Sequence, residues 1–64
     1  MKVKFTECSD DQVKFAGGSD PREYLVLDKI YEVVRKEVHS WHTIYYIMVD
    51  GVGLPFNSVC FCEI

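Results

Sequence analysis

Two histidines flank the only tryptophan in His39-Ser40-Trp41-His42-Thr43, the densest grouping of chemically versatile side chains in the 64 residues. Imidazoles offer donors, acceptors and a charge that changes near neutral pH, and an indole offers a flat apolar anchor. Such a grouping fits recognition of another molecule. Read more plainly, it is a hairpin loop whose histidines are solvated and whose tryptophan caps the domain. The sharper reading adds Cys60 and Cys62 to His39 and His42, two imidazoles and two thiols that would make a tetrahedral zinc set. His-x-x-His and Cys-x-Cys are weak spacings for structural zinc, so no metal and no cofactor is expected. A nucleophilic Cys60 with His42 and Asp50 would need an electropositive, partly exposed pocket, and a chain this short has little volume from which to exclude water. Asp10 and Asp11 are adjacent and point apart, so they do not form an acid–base pair. Gly17-Gly18 lacks the spacing and the following helix of a phosphate loop. Catalysis is therefore not expected.

The elements that position these residues come from local pattern. Lys2–Glu7 alternates, with Val3 and Phe5 on one face, as a half-buried strand does. Ser9-Asp10-Asp11 has turn chemistry, and Gln12–Phe15 alternates again through Val13 and Phe15, so a first hairpin is predicted. Gly17-Gly18-Ser19-Asp20-Pro21-Arg22 is the strongest breaker cluster and reads as a mobile surface loop. Glu23–Leu27 reads as a short strand, with Asp28-Lys29 as a tight turn. Asp28–His39 is open to two readings. One is a helix capped by Asp28, and the other a strand favoured by the β-branched Ile30, Val33, Val34 and Val38; the strand is preferred.

Trp41–Val49 is the most secure strand, almost wholly aromatic or β-branched. It is apolar on both faces, Trp41, Thr43, Tyr45, Ile47 and Val49 on one and Ile44, Tyr46 and Met48 on the other. It is thus central, or one side carries a binding surface. Asp50-Gly51 signals a hairpin, with Val52-Gly53-Leu54-Pro55 lengthening the connection. The predicted core is Val3, Phe5, Leu25, Leu27, Tyr31, Val33, Ile44 or Tyr45, Ile47 and Phe61.

Length allows one domain, spanning residues 1–64, with a small core. Hydrophobic residues at 48% and charged ones at 27% are the balance of a folded chain. Ten acids against seven bases give a net charge of −3, and no basic cluster exceeds Arg35-Lys36. That argues against nucleic acid, whose phosphates call for a concentrated basic face, and is compatible with a protein partner. There is no apolar run long enough for a membrane span and no apolar segment after Lys2 and Lys4 of the kind a secretory leader has. Three cysteines, an odd set, argue against a disulfide scaffold and for a cytoplasmic protein with reduced thiols.

The order of short strands and turns over residues 24–64, with Trp41 opening a strand, Phe56-Asn57-Ser58-Val59 as a 3₁₀ turn and Phe61–Ile64 as a closing strand, resembles the SH3-like β-barrel superfamily. The chain also resembles the small proteins of bacteria and their phages. The resemblance implies an all-β fold, a five- to six-stranded SH3-like barrel with a short 3₁₀ turn near the C-terminus, and a binding role. The acidic–aromatic ligand loop and the Pro-x-x-Tyr of eukaryotic SH3 domains are missing, so proline-rich recognition does not follow. The expected function is non-catalytic recognition of a protein partner through the surface around Trp41, with His39, His42, Tyr46 and Asn57 as further binding residues. The alternative is a metal- or small-ligand-binding protein using His39 and His42 with Cys60 and Cys62. The oligomeric state is left open.

Overall fold

The computed structural model describes residues 1–64, the side chain of Ala16 excepted. Five antiparallel strands form one sheet, with two short helices between the first and second strands and a 3₁₀ turn before the last. Strand β1 (Lys2–Phe5) buries Val3 and Phe5, as its alternation requires. The chain does not then turn back as a hairpin. It enters helix α1 (Asp10–Ala16), because Ser9 and Gln12 make a reciprocal capping box. Ser9 Oγ accepts from the Gln12 N–H at 3.2 Å, and Gln12 Oε1 accepts from the Ser9 N–H at 2.9 Å. Asp10 and Asp11 occupy the first turn, where the helix dipole favours them, and Gly17 ends the helix at φ 68°. The Val13/Phe15 alternation covers too few residues to outweigh these caps.

The breaker cluster is likewise more ordered than a surface loop. Ser19 N–H donates to the Pro55 carbonyl at 2.8 Å, so the segment runs along an edge of the sheet. Asp20 then caps helix α2 (Pro21–Tyr24), its Oδ1 accepting from the Arg22 N–H, with Pro21 at the first helical position and buried. The expected strand over Glu23–Leu27 is therefore replaced by the end of a helix and an extended linker. Only Leu25 of that segment is buried, and Leu27, placed in the core by the sequence, is 56% exposed. A turn follows, with Lys29 N–H on the Val26 carbonyl and Asp28 at φ 64°.

Strand β2 (Ile30–Val38) confirms the strand reading of the ambiguous segment. Its first part pairs with β1 and its second with β3 (Thr43–Val49). The register slips between Val33 and Arg35, an irregularity that lets one strand serve both neighbours. The β3–β4 turn is the two-residue Asp50-Gly51, both at positive φ, and Val49 pairs directly with Val52. Val52–Pro55 thus belongs to strand β4 (Val52–Asn57) rather than to a longer connection. Pro55 is tolerated because β4 lies at the edge of the sheet.

The 3₁₀ turn spans Ser58–Cys60 and begins two residues later than expected, because Phe56 and Asn57 still pair with Tyr45 and Ile44. Strand β5 (Phe61–Glu63) returns beside β1. The order is β4-β3-β2-β1-β5, an open sheet with β4 and β5 at its edges. The fold is mostly β, as expected, with two short helices added, and the sheet is open rather than a closed barrel.

Val3, Phe5, Leu25, Val33, Tyr45, Ile47, Phe56 and Cys60 form the core, with Tyr31 and Phe61 partly buried against it. Phe56 and Cys60 are fully buried and join the core although neither is in the predicted set: Phe56 still belongs to β4 rather than to the expected 3₁₀ turn, and Cys60 ends the turn that forms. Ile44 and Tyr45 are both buried, so β3 is covered on both sides there. Among the described residues no helix is long and apolar enough to cross a membrane.

Candidate functional site

The connection from β2 to β3 is a four-residue loop, closed by the His39 N–H donating to the His42 carbonyl at 2.8 Å. Its tip pushes Trp41 into solvent, 85% exposed, the most exposed large apolar side chain of the chain. The bland reading, a tryptophan plugging the domain, is not what this loop produces.

Trp41 and His42 form one wall of a cleft of about 350 Å³. Asp11, Gln12 and Phe15 of α1 face them, and Asn57 and Val59 close the third side from the end of β4 and the 3₁₀ turn. Three segments distant in sequence meet there. The helix contributes because its caps hold Asp11 and Phe15 a turn apart, on the same side. The 3₁₀ turn contributes because Asn57 starts it, its Oδ1 accepting from the Val59 N–H at 3.3 Å.

Asn57 also ties the walls together. It is only 3% exposed, and its Nδ2 donates to the Gln12 carbonyl at 2.8 Å, pinning α1 onto the end of β4. Both ends of the carboxamide are used, so its place in the site is to position. The Cys60 thiol reaches toward Gln12 Oε1 at 4.0 Å and adds a weak link between the same two elements.

The histidines organise the opposite wall. The His39 ring stacks on His42 at 4.7 Å between centroids, with 20° between planes. The His42 edge meets Phe15 at 5.8 Å across the cleft. His39 Nε2 lies 2.8 Å from Glu37 Oε1, and Glu37 also accepts from Arg35 Nη2 at 3.0 Å. Arg35 covers the Tyr46 ring at 5.1 Å. Tyr46, expected on the binding surface, is therefore not a lining residue. It stands at the far end of a row running Tyr46–Arg35–Glu37–His39–His42–Phe15. The lining residues that the sequence reading missed are Asp11, Gln12, Phe15 and Val59. The Ser9-x-x-Gln12 capping box was the available signal for the first three, since it puts Asp11 and Phe15 on one helix face.

The metal grouping does not assemble. Among the described residues no three or more His, Cys, Asp or Glu side chains are gathered to hold an ion. The histidines are used ring against ring, Cys60 is buried in the core and Cys62 is exposed on β5. Nor does a Cys60–His42–Asp50 arrangement form. His42 precedes β3 and Asp50 follows it, which separates them by the length of a seven-residue strand, roughly 20 Å. The Cys60 thiol is held in its protonated form, its pKa raised first by burial and then by the neighbouring Cys8.

The cleft can therefore accept an apolar group against Trp41, Phe15 and Val59, beside a carboxylate at Asp11 and the edges of His42 and Gln12. Asp10, next to Asp11, is engaged by Arg22 Nη2 at 2.6 Å, whereas no partner of Asp11 is found among the described residues. Comparison with protein-family models, with curated proteins and with solved structures finds no match to this chain.

Proposed function

We propose that the protein is a non-catalytic, cytoplasmic interaction module that binds a segment of another protein in the cleft beside Trp41. The observation that carries this is Trp41 itself, 85% exposed at a loop tip and bordering a cleft whose other walls are Phe15, His42 and Val59. An indole held in water gains binding energy only when a partner desolvates it. The loop is braced by the His39–His42 stack and the Glu37 contact, so little conformational freedom would be lost on binding. Charge favours a basic segment: the chain carries −3 overall, and Asp11 stands at the rim.

The reading includes an SH3-like fold assignment. Its supports are the order β4-β3-β2-β1-β5, the shared and irregular β2, and the 3₁₀ turn leading into the last strand.

Selection from a displayed peptide library, run in parallel with the native protein and with Trp41→Ala, tests the binding role. Peptides pairing an apolar side chain with Lys or Arg should be enriched by the native protein and shift its tryptophan emission to the blue. Equal enrichment by the two proteins, or a preference for acidic peptides, would overturn the reading.

A further inference from the structure

Cys8 and Cys60 are 52 positions apart in sequence and share one corner of the fold. The strand β1 ladder continues past Phe5, where the Thr6 N–H, the Glu7 N–H and the Thr6 hydroxyl all address the Cys60 carbonyl, at 3.0, 3.4 and 3.3 Å. Cys8 follows two residues later and packs against the core cluster that contains Cys60. The two thiols differ sharply in access. Cys60 is fully buried, whereas Cys8 is half-buried and lines a surface hollow together with Thr6, Glu7 and Arg22. The third thiol, Cys62, is exposed on β5.

We infer that Cys8 and Cys60 are a reversible thiol–disulfide modification site, with Cys8 as the attacking thiol and Cys60 as the resolving one. The co-reactant is a small-molecule disulfide such as oxidised glutathione. The Cys8 thiolate bonds to one sulfur of that disulfide, its S–S bond breaks and one small thiolate leaves. Cys60 then gives up its proton, its sulfur bonds to the Cys8 sulfur, and the second small thiolate leaves carrying the proton. The protein loses two electrons and two protons, one proton from each cysteine, and the small disulfide takes them up to become two thiols.

The order follows from access and protonation. Burial and the adjacent Cys8 keep the Cys60 proton in place, so Cys60 does not start the exchange. Once Cys8 is a mixed disulfide its thiol no longer stands beside Cys60, and that part of the restraint is gone. Cys8 immediately precedes Ser9, the cap of α1, and Cys60 ends the 3₁₀ turn. The bond would therefore lock two walls of the Trp41 cleft together, a consequence that rests on the binding role proposed above.

The test needs no partner. Folded Cys62→Ser protein is incubated with oxidised glutathione and measured by whole-protein mass, peptide mapping and thermal unfolding. A product lighter by two hydrogens than the reduced protein is expected, with Cys8 and Cys60 in one cross-linked peptide pair. Its unfolding midpoint should rise by on the order of 10 °C, because a long loop is closed in the unfolded chain. Cys60→Ala should stop at a glutathione adduct on Cys8. Should that variant fail to fold, Cys8→Ser gives the same decision, since Cys60 alone should stay unmodified. A stable glutathione adduct on Cys8 with Cys60 present, a dimer linked between chains, or two unreacted thiols would each overturn the assignment.

Discussion

Replacing Asn57 with alanine tests whether the cleft is held together by one carboxamide. Asn57 is 3% exposed, donates to the Gln12 carbonyl at 2.8 Å and accepts from the Val59 N–H at 3.3 Å. Removing the donor leaves the Gln12 carbonyl without its partner, which costs about 1–3 kcal/mol. Losing the cap of the 3₁₀ turn adds about 1 kcal/mol. The sum, about 2–4 kcal/mol, is most of the stability that a domain of this size has, about 3–5 kcal/mol. The unfolding midpoint should fall by on the order of 10–20 °C, followed by far-ultraviolet circular dichroism because Trp41 is already in water. Asn57→Asp sharpens the test. One carboxylate oxygen can still accept from Val59, but the other faces the Gln12 carbonyl and can donate to it only when protonated. Burial raises such a carboxyl's pKa. Stability lent by the protonated form is present at low pH and lost as pH rises, so the aspartate variant should approach the native protein in acid. A midpoint for Asn57→Ala within a few degrees of the native one would refute the claim that this contact joins α1 to the sheet.

Phe56→Ala should cost about 3–5 kcal/mol and Phe61→Ala less, since Phe56 is fully buried and Phe61 only partly so, and urea unfolding of both orders them. Gly18→Ala should destabilise by about 1–3 kcal/mol, because its Cβ would stand 2.9 Å from the Pro55 carbonyl oxygen, backbone that cannot swing away; the same curves measure it. Trp41→Ala should leave stability within about 0.5 kcal/mol, and native emission should be red-shifted and readily quenched by iodide; protected, blue emission in the free protein would contradict the exposed loop tip. The hydrogen bond from Arg22 holds the Asp20 carboxyl below its ordinary value of 3.8, and the N-terminal ammonium does the same for Glu32, ordinarily 4.5. Both contributions are present at neutral pH and are lost as pH falls through the lowered values, so Asp20→Asn should flatten the acid limb of stability against pH.

Period-two alternation locates β1 through Val3 and Phe5, whereas β2 and β3 are legible from their density of β-branched and aromatic residues. The Asp50-Gly51 turn is legible for a different reason: few residues other than Gly and Asn or Asp accept positive φ at adjacent positions. From Ser9 to Leu27 the structure departs from the predicted strands and loop. There the decisive information is not hydrophobic spacing but side-chain capping by Ser9, Gln12 and Asp20, which outweighs a two-residue alternation. Phe56 falls outside the predicted core because the resemblance puts it in the 3₁₀ turn, whereas β4 runs on to Asn57 and carries Phe56 inward. Leu27 lies outside because its segment is the end of α2 and a linker, not the strand its apolar run predicts. Of the expected binding residues, Trp41, His42 and Asn57 meet at the cleft and His39 braces it, while Tyr46 is drawn away beneath Arg35.

Those errors and the site share an origin. The cleft is made where the β1–β2 connection folds back as α1 onto the far end of β4, so its walls come from residues near 12, 41 and 58. No local pattern can announce such a meeting, because it depends on Asn57 finding a backbone carbonyl 45 positions away. Trp41, by contrast, needs no long-range partner to be exposed. A four-residue loop between paired Val38 and Thr43 leaves its tip residue nowhere to bury. The loop therefore supplies the anchor, and the α1–Asn57 contact supplies the surface facing it. Changing the first should alter binding at constant stability, and changing the second should alter both, because the contact that shapes the cleft is also part of what holds α1 on the sheet.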